Sequence, residues 1–154
     1  KNNYFDLITC RTGTHHFENF EKSLKEMYRT LKDNGTLIIS DTITSEDNDL
    51  SSWHQKIEIM RDPSHQSNYS IKSWKEFFNN LKFEATKITL TSVKLTLDDW
   101  MTTSGTPTDI QKELRKIWVN SDSKTKRYFK IKEKDNQNFE FEWPCAVMII
   151  KKQI

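Results

Sequence analysis

Phe5-Asp6-Leu7-Ile8-Thr9-Cys10-Arg11-Thr12-Gly13-Thr14-His15-His16-Phe17 opens on a short apolar run and ends in a polar, histidine-bearing loop. The run from Tyr4 to Cys10 reads as a strand covered on both faces. Phe20, Leu24, Met27, Tyr28 and Leu31 then recur at helical spacing. This helix is expected to stop at Asp33-Asn34-Gly35, with the glycine as a left-handed cap. Thr36-Leu37-Ile38-Ile39-Ser40 follows as a second strand ending at Asp41. Strand, helix and strand with short connections predict a βαβ unit whose strands run parallel.

Downstream, Leu50, Trp53, Ile57 and Met60 mark a helix ended by Pro63. Ser70 is a plausible N-cap for another, with Trp74, Phe77, Phe78 and Leu81 inward. Ala85 to Leu97 alternates like a strand, and its phase slips near Thr91-Ser92, as at a β-bulge. Thr106-Pro107 opens a helix carrying Ile110, Leu114, Ile117 and Trp118, with proline at the first helical position. A hairpin of Tyr128 to Lys132 with Phe139 to Trp143 is expected around the turn Asp135-Asn136-Gln137-Asn138. Phe139 to Ile150 reads as a long final strand.

The 154 residues suit a single domain spanning 1–154. A formal charge of +2 is too small to make nucleic acid or an anionic membrane the main partner. The Lys-rich stretch from Lys124 to Lys134 is diluted by Asp122, Glu133 and Asp135, and reads as a solvated hairpin rather than a nucleic-acid face. No apolar run approaches membrane-spanning length and no signal peptide opens the chain, so a cytoplasmic protein is expected. Cys10 and Cys145 read as buried thiols of such a protein, a single disulfide being the alternative. Neither their spacing nor that of the histidines forms a metal motif, and no G-x-S-x-G elbow is present.

The order Phe5-Asp6-Leu7-Ile8, His15-His16-Phe17 and Leu31-Lys32-Asp33-Asn34-Gly35, then a strand closing on Asp41, resembles class I S-adenosylmethionine-dependent methyltransferases. The ubiquinone/menaquinone-biosynthesis-like group is most similar, with Asp-Asn standing where its LKPGG motif has Pro-Gly. Arg61-Asp62-Pro63-Ser64-His65, followed by Tyr69-Ser70, resembles a stretch found in a subset of these enzymes. The resemblance covers Tyr4 to about Leu97 well and the last strand weakly.

It implies an α/β fold, the C-terminal half of a Rossmann-like doubly wound sheet. The strands here would match the fourth to seventh of the family, the last of them antiparallel. It also implies S-adenosylmethionine as methyl donor and a small-molecule acceptor. Glycines 13, 35 and 105 are isolated, so the glycine-rich cofactor loop has no counterpart here. With lysine at position 1 and a strand beginning at Tyr4, the sequence reads as though entered midway. The chain alone is then expected to be inactive and to bind the donor weakly or not at all. Its Tyr4 to Cys10 edge, lacking the family's first strand, would be open to self-association.

Within this frame Cys10, Arg11 and Thr12 are the expected cofactor neighbours, at the carboxyl end of a parallel strand. His16 and His15 are candidate catalytic bases, because imidazole titrates near neutral pH; capping a helix or packing on the sheet is the plainer role for each. Asp41, Arg61 and His65 are candidate substrate contacts. Asp41 could instead cap the next turn, and Arg61 could pair with a surface acid such as Asp62 or Glu58. A methyltransferase half kept as a non-catalytic binding module is the alternative to an enzyme.

Overall fold

A computed structural model describes residues 1–135 and 138–152. Its elements are β1 (Phe5–Arg11), a 3-10 turn (Thr14–His16), α1 (Phe20–Thr30), β2 (Leu31–Thr42), α2 (Asn48–Arg61), α3 (Ile71–Asn80), β3 (Phe83–Thr96), α4 (Leu97–Thr103), α5 (Thr108–Val119), α6 (Ser123–Tyr128), β4 (Lys132–Asp135) and β5 (Asn138–Lys152). The strands form a mixed sheet in the order β1-β2-β5-β3, with β4 beside β5. β1 and β2 are parallel, as the βαβ reading requires. The final strand runs antiparallel to β2, pairing Leu37 with Ile150 and Ile39 with Met148.

The chain divides into two compact units. The first comprises residues 1–43, 66–91 and 145–154, and the second 44–65 and 92–144.

In the first unit Leu31 and every second residue of β2 from Gly35 to Asp41 are buried, and Leu31, Leu37 and Ile39 face one core. Phe20 and Leu24 of α1, Trp74 and Phe78 of α3, and Ala146, Met148 and Ile150 of β5 complete it. Each fully buried Leu or Ile contributes about 1.5–3 kcal/mol. Ser70 caps α3 as expected, accepting from the Ser73 N–H. The buried Lys152 ties the end of β5 to the start of β2, its Nζ donating to Leu31 O at 2.9 Å and to Asn3 Oδ1 at 2.7 Å. β1 pairs only with β2 among the described residues, and Tyr4, Phe5 and Leu7 are 45–53% exposed beside that open edge. A groove of about 550 Å³ between β1 and α1 is lined by Phe5, Leu7, Ile8, Ser23, Met27 and Thr30.

The second unit is built on aromatic rings. Trp100, Trp118, Phe129, Phe141 and Trp143 are buried together with Leu50, Ile57, Leu97 and Leu114. Its surface lysines find acids: Lys124 pairs with Asp47 at 2.6 Å and Lys130 with Glu142 at 2.6 Å.

Several local expectations are corrected. α1 stops at Thr30, and Leu31 already belongs to β2. Asn34, not Gly35, takes the left-handed conformation (φ 60°). Gly35 is required for space instead, because a Cβ there would lie 2.7 Å from Lys32 O and 2.8 Å from Leu31 Cγ. Leu97 opens α4 rather than ending the strand, because Thr96 caps the Asp99 N–H and so turns the chain. Pro107 sits at the N-cap of α5, one position earlier than expected. Tyr128 ends α6, a helix whose N-cap Asp122 accepts from Thr125 N, so the hairpin strand starts only at Lys132. The expected turn falls partly on residues 136 and 137, outside the described residues. No disulfide joins Cys10 and Cys145.

Candidate functional site

Parallel strands β1 and β2 end side by side, and open α/β sheets bind ligands at such carboxyl ends. The chain leaving β1 cannot continue straight. Thr12 takes a left-handed conformation (φ 45°), an outlier for a β-branched residue costing on the order of 1–2 kcal/mol. Its N–H still donates to Ser40 O at 2.8 Å, so the turn remains stitched to β2. Strain of this kind persists where surrounding structure holds it and is common at ligand sites.

Asp41 does the holding. Its side chain is fully buried, and its Oδ2 accepts from Gly13 N at 3.1 Å, Thr14 N at 2.7 Å and Thr14 Oγ1 at 2.5 Å. Its Oδ1 lies 2.6 Å from His15 Nδ1 and accepts from Thr42 N at 2.8 Å. Burial alone would raise the carboxyl pKa; the hydrogen bond and charge of His15, with the bonds from Thr14, outweigh it and lower the value to about 2. Asp41 thus caps a turn, Gly13–His15, rather than the one following β2 that the sequence suggested.

A third segment closes over this pair. His15 O accepts from Gln66 N at 2.8 Å and Ser67 N at 3.2 Å, and Thr42 Oγ1 donates to Asn68 Oδ1 at 2.7 Å. His15 is therefore gripped through both side chain and backbone. The His16 ring packs on it at 4.3 Å between centroids.

Of the expected cofactor neighbours, Cys10 is half-buried, whereas Arg11 and Thr12 are exposed at the loop's outer side. Burial, then the Asp41 charge, pushes the Cys10 thiol pKa up, so it is a poor nucleophile.

The structure thus brings His15, His16, Asp41 and the Cys10–Thr12 loop together in the first unit. Arg61 and His65 belong to the second unit, where both approach Glu58. Arg61 Nη2 lies 3.3 Å from Glu58 Oε2, and its guanidinium lies 4.8 Å from the centre of the Trp100 ring. Glu58 is itself buried, which corrects the expectation of a surface acid. Burial would raise its pKa, but His54, Arg61 and His65 together hold it below the usual carboxylate range. Sequence reasoning named Glu58 only as a surface partner for Arg61 and did not single out His54. Their i, i+4 spacing on α2 was the available signal, and they stand 3.7 Å apart. Among the described residues no helix is long and apolar enough to cross a membrane.

A profile of the methyltransferase domain family matches residues 1–88. The chain belongs to that family. The uncharacterized methyltransferase YcgJ of Bacillus subtilis (strain 168) is 32% identical over 110 residues, which is 71% of this chain and 44% of YcgJ. The crystal structure of the YcgJ protein superposes on 99% of this chain and 66% of its own, with 26% identity and a TM-score of 0.94. A protein of Bacillus halodurans C-125 shares the fold at a TM-score of 0.95 and 24% identity, over 99% of this chain and 72% of its own. The chain therefore spans about half the length of its curated relatives, 44% of one and 61% of another. A more distant likeness, in fold alone, is to phosphoethanolamine N-methyltransferase 2 of Haemonchus contortus, solved with phosphomonomethylethanolamine and S-adenosylhomocysteine. There the TM-score is 0.55 and the identity 13%, over 100% of this chain and 34% of that one.

Proposed function

We propose that this chain is the acceptor-side, C-terminal portion of an S-adenosylmethionine-dependent methyltransferase acting on a small molecule. The observation that carries the reading is the braced loop Cys10–His16 at the carboxyl ends of two parallel strands, in a chain of the methyltransferase domain family. The motif order favours the ubiquinone/menaquinone-biosynthesis-like subgroup.

The residues present fit part of the donor. Exposed Arg11 supplies a cation for a carboxylate, next to the left-handed Thr12. No glycine-rich turn for the rest of the donor occurs in the sequence. The open β1 edge and the incomplete span of the relatives support a further segment that supplies this turn. Until that edge is covered it would also let two copies associate.

When bound, S-adenosylmethionine supplies a methyl group already activated by its sulfonium. The protein's share is then mostly placement. Cys10 to Thr12 would flank the donor, and the histidines of the loop would face the acceptor and handle its proton.

The test is release of S-adenosylhomocysteine. The chain, extended by whatever the gene encodes ahead of Lys1, is incubated with S-adenosylmethionine and a panel of small phenols, amines and acidic carbon compounds. Turnover with a panel member is expected. Donor binding with no release across the panel would sink the small-molecule reading and leave a binding module.

A further inference from the structure

The start of β2 departs from regular pairing. The register of β1 with β2 jumps from Phe5–Leu31 to Leu7–Thr36, and the ladder with β5 begins at Thr36–Lys151, so residues 32–35 bulge out of both. Lys32, Asp33 and Asn34 are exposed there, and Gly35 is buried. Asn34 holds the left-handed conformation (φ 60°), which its short polar side chain tolerates. Its carbonyl accepts from Lys151 Nζ at 3.3 Å, and among the described residues no hydrogen bond holds its side-chain amide.

The residue that follows matters as much. Asn34-Gly35 is the one place in the sequence where glycine follows asparagine. Glycine has no Cβ to keep its backbone nitrogen away from the preceding side chain, and the bulge leaves that nitrogen outside both ladders. Asn120-Ser121, the asparagine with the next smallest follower, is built differently. Asn120 caps the end of α5, its Nδ2 donates to Lys116 O at 2.9 Å, and Ser121 N donates to Trp118 O at 3.3 Å. There both the side-chain amide and the following nitrogen are tied.

We propose that Asn34 is a site of spontaneous covalent modification, with the protein's own backbone as nucleophile and water as co-reactant. The Gly35 nitrogen bonds to Asn34 Cγ, the Cγ–Nδ2 bond breaks, and the amide nitrogen leaves as ammonia with the proton from Gly35 N. The resulting cyclic imide joins both carbonyl carbons of residue 34 to the Gly35 nitrogen. Water then opens it on one side or the other. Cleavage at Cγ gives aspartate, and cleavage at the backbone carbonyl gives an isoaspartyl link with the chain running through Cγ. Either product places a new carboxylate next to Asp33. The isoaspartyl link also lengthens the chain immediately before Gly35, where a Cβ would already lie 2.7 Å from Lys32 O. The start of β2 loosens as a result, and the reaction sets a chemical lifetime for this corner of the fold.

The test incubates the 154-residue chain at mildly alkaline pH, folded in buffer and unfolded in guanidinium chloride, and maps its peptides by mass spectrometry. The expected result is loss of the Asn34 amide in the folded chain at a rate comparable to that in the unfolded chain, with aspartyl and isoaspartyl peptides separated by chromatography. Asn120 should keep its amide in the folded chain. Conversion of Asn34 only in guanidinium chloride overturns the proposal, as does folded-state loss at Asn120 that outpaces loss at Asn34. Asn34→Gly suits the positive φ and should fold while leaving this segment unmodified. After equal incubation the melting temperature of the wild type should fall and that of Asn34→Gly should hold. Equal falls in the two overturn the claim that the modification loosens β2.

Discussion

The carboxylate of Asp41, at the end of one parallel strand, grips the turn that leaves the other strand, with His15 Nδ1 2.6 Å from its Oδ1. Removing that carboxylate leaves the Gly13, Thr14 and Thr42 N–H groups without it in a buried place. Asp41→Ala is therefore expected to destabilise the chain by about 3–5 kcal/mol, measured by urea unfolding. A loss below about 1 kcal/mol would show that water replaces the carboxylate freely.

Asp41 also sets an acid limit. Its folded pKa of about 2 lies below the ordinary 3.8. A depressed carboxylate contributes stability that is present above the unfolded value and lost as pH falls through the folded one. The contribution, about 2 kcal/mol, should thus be whole above pH about 4 and gone near pH 2. Urea midpoints across that window should fall in the wild type and stay flatter in Asp41→Asn. Parallel slopes would contradict the assignment.

Thr12 bears strain that glycine would relieve. Thr12→Gly should change stability by less than about 1 kcal/mol, as relief of the left-handed conformation offsets the added freedom of the unfolded chain. If the strained turn serves the donor, the same change should weaken S-adenosylhomocysteine binding in the extended enzyme. A large loss of thermal stability with unaltered binding would assign Thr12 to the fold instead.

Gly35 leaves no room for a side chain. Gly35→Ala is expected to cost about 1–3 kcal/mol, because the methyl group would meet Lys32 O and Leu31 Cγ within 2.9 Å. Thermal melting of the variant checks this. An unchanged melting temperature would mean that the Leu31–Gly35 turn opens easily.

The open edge of β1 gives a prediction for the chain by itself. Exposed Tyr4, Phe5 and Leu7 beside unpaired backbone should drive concentration-dependent association, visible by light scattering, and Leu7→Lys should reduce it. A wild-type chain that stays monomeric to millimolar concentration would show the edge to be already protected.

The βαβ unit was legible because Phe20, Leu24 and Leu37, Ile39 carry clean periods of 3.6 and 2 into one core. The antiparallel last strand and the loop with its two histidines followed from the family resemblance. What escaped were features that depend on distant contact or on short caps. The 26-residue separation of His15 and Asp41 leaves no local mark. The Thr96 and Asp99 cap was hidden because Val93, Leu95 and Leu97 extend a strand-like alternation into α4. Gly35 was assigned to the wrong need, since sequence does not tell close approach from a left-handed turn.

The central claim, that Cys10–His16 forms the acceptor-side wall of a methyl-donor site, is tested most directly by following backbone amides of the 154-residue chain during titration with S-adenosylhomocysteine. The account predicts weak, millimolar-range shifts concentrated at Cys10, Arg11 and Thr12 and extending to His15 and His16. Micromolar affinity, or shifts that leave this loop untouched while appearing elsewhere, would contradict it.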